Sequence, residues 1–158
     1  MRHILIIGGT KGIGKAIIDL LIEENKITCM SRNVSDYNHE NYNHIQLDAT
    51  LDNFPDLEKI DSLVYCPGSI NLKPISTLSI EDFRNDFELN VIGAVKSIKK
   101  YLPLLKKGEN PSILLFSTVA TKLGMPYHAS VSASKSAIDG IVKTLGAELA
   151  PKIRINAI

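Results

Sequence analysis

The chain has 158 residues, of which 44% are hydrophobic and 22% charged, and its formal net charge is +1. This composition is typical of one folded domain with a hydrophobic core. The nearly neutral charge gives no electrostatic basis for a nucleic-acid or anionic-membrane partner, and no apolar run is long enough to cross a bilayer.

Short apolar runs alternate with helical periods along the chain. The predicted strands cover residues 3–7, 26–30, 44–47, 62–66, 112–116 and 154–158, and a polar loop covers 33–43. The predicted helices follow the first strand, extend from residue 79 toward residue 105, and cover 132–149. This alternation predicts an α/β fold with a doubly wound parallel sheet, Rossmann-like and in a single domain over residues 1–158.

The predicted helices carry signals of their own. Apolar residues at helical spacing form one face of the first helix: Ile13, Ala16, Ile17, Leu20 and Leu21. Ser79 and Asp82 have the spacing of a capping box, which opens a helix with Phe83 and Phe87 on one face. Pro103 is expected to kink the long helical stretch or to end it early.

A Gly-rich turn joins the first strand to the first helix. Residues 4–14 read Ile-Leu-Ile-Ile-Gly-Gly-Thr-Lys-Gly-Ile-Gly. Glycines let the backbone turn sharply and approach a pyrophosphate closely, and the following helix N-terminus contributes free N–H groups and partial positive charge. The glycine spacing is looser than Gly-x-Gly-x-x-Gly, so the alternative is a turn that only caps the helix.

The first half of the chain resembles the short-chain dehydrogenase/reductase family. The turn from Gly8 to Gly14 is similar to the family's cofactor turn, with Ile7 in place of the usual threonine. Asp48, after the third predicted strand, resembles the family's adenine-contacting aspartate. Of the family's Asn-Asn-Ala-Gly stretch, only the glycine remains, as Gly68.

The second half resembles the family's catalytic region, with one departure. Asn90 resembles the active-site asparagine, and Lys135, in Ser-Ala-Ser-Lys-Ser-Ala, resembles the catalytic lysine. Thr118, beside Ser117, falls at the position of the active-site serine. The family's tyrosine lies four residues before the lysine, where this chain has Val131. The resemblance therefore implies cofactor binding without the usual proton donor.

Other groups near Val131 are candidates for that donor. His128 and Tyr127 are the nearest ionisable side chains in sequence, and Ser130 and Ser132 flank the valine. His128 is preferred because the unperturbed pKa of histidine is about 6.5. The alternatives are a loop histidine with no proton to move and a tyrosine ring that packs over the cofactor. The predicted catalytic residues are Asn90, Thr118, Lys135 and His128.

The end of the second predicted strand favours NADP(H) as the cofactor. NAD-binding chains place an Asp or Glu there for the ribose 2′-hydroxyl, whereas this chain has Arg32. A guanidinium pairs bidentately with a phosphate, and Lys11 adds a second positive charge. The alternative is that Arg32 stacks on the adenine or faces water. The predicted cofactor-binding residues are Gly8, Thr10, Lys11, Gly12, Ile13, Gly14, Arg32, Asp48, Ala49, Gly68 and Lys135.

The remaining polar and sulfur-containing residues indicate no metal. Cys29 and Cys66 lie among strand-like residues, and we interpret both as small core side chains of a reducing compartment. His3, His39 and His44 show no ligand spacing. The N-terminal apolar run is too short for a signal peptide, so the expected location is the cytoplasm.

Two functions remain open from the sequence. The first is an NADP(H)-dependent oxidoreductase that interconverts a small-molecule carbonyl and an alcohol with an altered proton donor, which Lys135 favours. The second is an NADP(H)-binding protein with little or no turnover, a sensor or an assembly partner, which Val131 favours. A Rossmann-like domain for another nucleotide is a further possibility, because fold alone does not define function.

Two expectations concern the whole protein. The chain ends within an apolar run at residues 153–158, so we expect these residues to be part of a longer chain. The resemblance implies that a last strand and the substrate-binding region follow. The helices around 90–107 and 132–149 resemble those that pair between subunits in the family, which predicts a homodimer or homotetramer. The second of these helices carries the apolar residues Ala137, Ile138, Ile141, Val142, Leu145 and Leu149.

Overall fold

The sheet of the protein has six parallel strands. The computed structural model describes residues 1–158, and the strand order is β3-β2-β1-β4-β5-β6. The strands are β1 Arg2–Ile7, β2 Asn25–Ser31, β3 Tyr42–Gln46, β4 Ser62–Tyr65, β5 Ser112–Leu115 and β6 Arg154–Ala157. The chain winds outward from β1 to β3, returns to β4 on the other side of β1, and winds outward again. This topology confirms the predicted α/β doubly wound fold.

The protein has four α-helices: α1 Gly12–Leu21, α2 Ile80–Phe87, α3 Gly93–Leu105 and α4 Ala129–Leu149. α1 covers one face of the sheet, α3 and α4 cover the other, and α2 packs against α4. A π-helical turn over Glu88–Ile92 joins α2 to α3, so the two form one nearly continuous helical stretch. A 3₁₀ turn over Val119–Thr121 follows β5. None of these helices combines the length and the apolarity that crossing a lipid bilayer requires.

Alternating side chains of the strands build a core on each face of the sheet. In β1, Leu5 and Ile7 belong to the larger core on the α3 and α4 face. Ile4 and Ile6 belong to the smaller core under α1. This alternation is the period-two pattern of a strand buried on both faces.

The predicted apolar face of α1 is correct for Ile17 and Leu21, which pack against the smaller core, and wrong for Ile13, Ala16 and Leu20, which are exposed. Ile13 is 62% exposed and Leu20 is 80% exposed, whereas Ile18 and Ile22 are buried in the smaller core. The helix approaches the sheet along Gly14, Ile18 and Ile22, which lie at four-residue spacing. Close approach at Gly14, imposed by the Gly-rich turn, determines which side of the helix faces the strands.

The capping box at the start of α2 is confirmed, and the residue that this helix buries is polar. Asp82 N donates to Ser79 Oγ at 3.0 Å, and Ser79 N donates to the Asp82 carboxylate at 2.9 Å. Phe87 is 42% exposed, and the buried residue of α2 is Asp86. Polar partners bind Asp86, so apolar periodicity does not identify the buried face.

Of the two outcomes predicted for Pro103, an early end of the helix is wrong, and a kink stays a prediction. The helix α3 continues past Pro103 to Leu105, so the proline does not end it there. Pro103 lies in the last turn, where its missing N–H removes one backbone hydrogen bond and little helix follows.

β3 begins at Tyr42, two residues before the predicted start, because its pairing with β2 starts at Tyr42 and Ile27.

Candidate functional site

A cleft of about 290 Å³ lies at the carboxyl ends of the central strands. β1 lies between β2 and β4 there, so the winding of the sheet reverses at this point. Doubly wound sheets bind ligands at such a reversal. The lining includes every predicted cofactor-binding residue except Lys135, namely Gly8, Thr10, Lys11, Gly12, Ile13, Gly14, Arg32, Asp48, Ala49 and Gly68.

The Gly-rich turn has the close backbone packing that a phosphate-binding turn requires. Gly8 has a φ of 82°, a left-handed conformation that glycine adopts without strain. A Cβ on Gly14 would collide with the carbonyl oxygen of Gly8. No side chain caps the N-terminus of α1, where Lys11 is the N-cap residue. The first-turn N–H groups are therefore not satisfied by side chains and suit an anionic ligand.

Two cationic side chains line the cleft without a carboxylate partner. Lys11 and Arg32 are both exposed, and neither belongs to any ion pair of the protein. The Arg32 backbone carbonyl accepts from Gln46 Nε2 at 2.9 Å, which ties this residue to the end of β3. A phosphate at this end of the cleft would therefore meet two cations that form no ion pair within the protein.

Asp48 lines the cleft just after β3 and is bound mainly by its own loop. Its Oδ1 accepts from Thr50 Oγ1 at 2.6 Å and from Thr50 N at 2.9 Å. The hydrogen bond from the Thr50 hydroxyl, with a smaller contribution from the charge of Arg32, holds the pKa of Asp48 below its ordinary value. These bonds fix the turn that brings Ala49 to the cleft.

Asn90 lies in the π-helical turn and is buried. Its Nδ2 donates to Ser134 Oγ and to Ser69 Oγ, both at 3.2 Å, and its Oδ1 accepts from Ser69 N at 3.3 Å. The amide is thus held between the loop after β4 and the helix α4. These partners fix which way the amide points.

Lys135 reaches the end of the cleft beside Gly68. Its Nζ donates to the carbonyl oxygen of Phe116 at 2.8 Å. A Cβ on Gly68 would lie 3.4 Å from Lys135 Nζ and 3.1 Å from Asn90 Oδ1. Burial lowers the pKa of the Lys135 ammonium, and the nearby Cys66 opposes this effect. Gly68 is therefore the place where the cleft meets Asn90 and Lys135, which we call the Asn90–Lys135 cluster.

Two adjacent hydroxyl groups follow β5. Thr118 Oγ1 accepts from Ala120 N at 3.3 Å and so caps the 3₁₀ turn. Ser117 Oγ is buried and has no hydrogen-bond partner. Both residues come shortly after Phe116, whose carbonyl holds Lys135.

The structure does not connect the predicted substitute donors to this cluster. Val131 is buried, at 4% exposure. His128 Nδ1 is 2.7 Å from the carbonyl oxygen of Pro126, within its own loop. Tyr127 is 59% exposed and has a φ of 67°, an uncommon conformation for a bulky residue. No hydrogen bond joins either side chain to Lys135, so His128 as the donor stays a prediction.

Sequence reasoning missed Asp86, Ser69 and Ser134 around the cluster and considered Ser130 only as a neighbour of Val131. Ser69, Ser130 and Ser134 bind the buried Asp86 or Asn90 through their hydroxyl groups. One signal was available: Asp86 stands one helical turn before Asn90, where a buried helix face would carry an apolar residue.

The interpretation of the cysteines needs an addition, because Cys66 packs against the smaller core and also lines the cleft.

Comparison with known proteins gives consistent matches along the chain. The family model for short chain dehydrogenase matches residues 2–158. The chain is 27% identical over 93% of its length to an uncharacterized oxidoreductase of Schizosaccharomyces pombe, and it covers 65% of that protein. It is 26% identical over 99% of its length to a cyclopentanol dehydrogenase of Comamonas, of which it covers 71%. The chain therefore spans about two thirds of the length of these relatives.

A solved structure supports the same relationship. The crystal structure of a short chain dehydrogenase family protein from Francisella tularensis superposes with a TM-score of 0.87 at 26% identity. The match covers 99% of this chain and 68% of that one. The likeness includes the six-stranded sheet and therefore the strand ends that form the cleft.

Proposed function

The chain belongs to the short-chain dehydrogenase family, and on this premise we propose that it is an NADP(H)-dependent oxidoreductase. In this proposal it interconverts a carbonyl and an alcohol with a proton donor other than the family's tyrosine. One observation carries the proposal: the glycine-lined cleft and the Asn90–Lys135 cluster meet at Gly68. A dinucleotide in the cleft would then have its reactive end beside an ammonium and an amide.

The residues of the cleft fit such a cofactor. The turn packs so closely that a Cβ on Gly14 would collide with Gly8, as a turn that approaches a pyrophosphate requires. The unpaired cations Lys11 and Arg32 suit the phosphate that distinguishes NADP(H). Asp48 and Ala49 also line the cleft and, in this proposal, would contact the adenine. When bound, the nicotinamide supplies the hydride.

The chain itself must supply the proton. Val131 has no transferable proton, so we propose His128 as the donor. The contact between its Nδ1 and the Pro126 carbonyl orients the ring and leaves Nε2 without a partner. His128 is only partly buried, and its loop precedes α4 directly. In this proposal the loop brings Nε2 of His128 to the substrate at the cluster.

A second function has its own support. The buried Val131 and the lack of hydrogen bonds from His128 or Tyr127 to Lys135 favour an NADP(H)-binding protein with little turnover. In that case the Asn90–Lys135 cluster would only orient the bound cofactor. The protein would then act as a sensor or an assembly partner.

Two measurements separate these functions. Mass spectrometry of the native protein identifies any co-purified nucleotide, and the absorbance of the reduced nicotinamide follows NADPH oxidation with a panel of carbonyl compounds. Bound NADP(H) together with carbonyl-dependent oxidation supports the oxidoreductase. Bound NADP(H) without oxidation of any compound supports the binding protein, and a different nucleotide contradicts both.

A further inference from the structure

Asp86 is a buried titratable residue to which the proposed reaction assigns no part. It is 1% exposed and lies on α2. Its Oδ1 accepts from the Ser69 hydroxyl and, at 2.9 Å, from Asn71 Nδ2, and its Oδ2 accepts from Ser130 Oγ at 2.6 Å. No cation forms an ion pair with it. Burying a carboxylate is costly without hydrogen bonds, and these donors offset that cost.

The donors come from parts of the chain that are far apart in sequence. Ser69 and Asn71 belong to the loop after β4, next to the cleft-lining Gly68. Ser130 lies in the first turn of α4, the helix that carries Lys135. Asp86 therefore joins the loop at the end of the cleft to the helix that holds the lysine.

The Ser69 hydroxyl also connects Asp86 to Asn90. It donates its only proton to Asp86, so it meets the Asn90 amide as an acceptor and takes a bond from Nδ2 at 3.2 Å. The Ser69 N–H donates in turn to Asn90 Oδ1 at 3.3 Å. With the serine fixed in this way, only one orientation of the Asn90 amide satisfies both contacts.

We propose that Asp86 is a positioning residue for the Asn90–Lys135 cluster. Through Ser69 it orients the amide of Asn90 and holds the loop at Gly68, and through Ser130 it holds the first turn of α4. Val131 cannot form a hydrogen bond with Lys135. The position of Lys135 therefore depends more on these contacts than it would if residue 131 were a tyrosine. The inference rests on the proposed oxidoreductase function, since positioning matters to rate only where a reaction occurs.

The test compares Asp86→Asn with a matched variant, Asp61→Asn. Asp61 is also fully buried and accepts from His3 N and Glu109 N, at 2.8 and 2.7 Å, but it lies at the amino end of β4. We expect Asp86→Asn to lower kcat roughly tenfold with little change in the NADPH dissociation constant. Asp61→Asn should leave kcat unchanged, whatever it does to the melting temperature.

A double variant tests the route through Asn90. If Asp86 acts by orienting Asn90, adding Asp86→Asn to Asn90→Ala should lower kcat little further. Ser130→Ala, which keeps the carboxylate and removes one donor, should give a smaller fall in kcat and remains usable if Asp86→Asn does not fold. Full kcat in Asp86→Asn, or additive losses in the double variant, would overturn the proposal.

A second readout does not depend on activity. Lys135 is 8% exposed, and its reaction with an amine-acetylating reagent can be followed by mass spectrometry. We expect roughly threefold faster labelling of Lys135 in Asp86→Asn and no change in Asp61→Asn, because only the first variant loosens its surroundings. If none of the carbonyl compounds tested supports NADPH oxidation by the unmutated protein, the proposed function has failed. The labelling rate alone then decides this inference. An unchanged rate overturns it.

Discussion

Val131 is the residue with the largest consequence for the chemistry of the site. A tyrosine at this position would place a phenol beside Lys135, whose ammonium would lower the phenol pKa from about 10 toward neutrality. Valine leaves Lys135 with the Phe116 carbonyl as its hydrogen-bond partner. The cluster can therefore bind and orient, while proton transfer needs another group.

We expect His128→Gln to lower carbonyl-dependent turnover by roughly tenfold or more, with little change in NADPH affinity. Glutamine has similar size but no proton that it can release near neutral pH. The matched control is His39→Gln, because His39 lies near Glu23 in the loop before β3, away from the cluster. Steady-state kinetics and NADPH titration of both variants provide the check, and full turnover in His128→Gln rules this histidine out.

Val131→Tyr should raise turnover above that of the unmutated protein. The new phenol would enter beside Lys135 and act as the acid and base that the chain lacks. Because Val131 is buried, the larger ring must fit a tight space, so the melting temperature is measured together with the rate. A variant that melts normally, binds NADPH and shows no gain in rate contradicts the expectation.

At the scale of elements, the turn between β1 and α1 determines the shape of the cleft. A Cβ on Gly14 would collide with the Gly8 carbonyl, so Gly14→Ala must widen the turn. We expect the NADPH dissociation constant to rise roughly tenfold. Gly146→Ala on α4 is the control, since its Cβ would meet Ile155 at an ordinary 3.7 Å. Fluorescence titration compares them, and equal affinities would show that the turn does not bind the pyrophosphate.

Local sequence signals predict some elements well and others only in part. The central strands were recognisable because they are short apolar runs, whereas the more polar β3 was placed two residues late. The Ser79–Asp82 capping box was recognisable because its contacts lie within four residues. The packed face of α1 was recognised only in part, because it depends on how closely Gly14 approaches the sheet. Asp86 was missed because its partners Ser69 and Ser130 are distant from it in sequence.

At the scale of the whole molecule, α3 and α4 leave an apolar groove on the surface. Two of the apolar residues of α4 that were predicted to pair between subunits, Ile138 and Leu149, are instead buried in the larger core of the same chain. The groove that remains is lined by apolar side chains of both helices, among them Val95, Ile98, Leu102, Ala137, Ile141 and Leu145. A second copy of the chain would cover this groove in the homodimer or homotetramer that we propose.

Ile141→Glu should therefore reduce the mass measured by light scattering to that of a monomer. The glutamate would place a charge in a contact that excludes water. Leu20→Glu is the control, because Leu20 is 80% exposed on α1, away from the groove. A monomer mass for the unmutated protein at every concentration would contradict the proposed assembly.

The central claim is that the cleft and the cationic residues beside it form an NADP(H) site. Its most direct test is the ratio of the dissociation constants for NADPH and NADH, measured by fluorescence titration at one salt concentration. We predict tighter binding of NADPH, by roughly tenfold or more, and loss of most of that preference in Arg32→Ala. Arg84→Ala, an exposed arginine paired with Glu81 on α2, should keep the preference. Equal affinities of the unmutated protein for NADPH and NADH would contradict the claim.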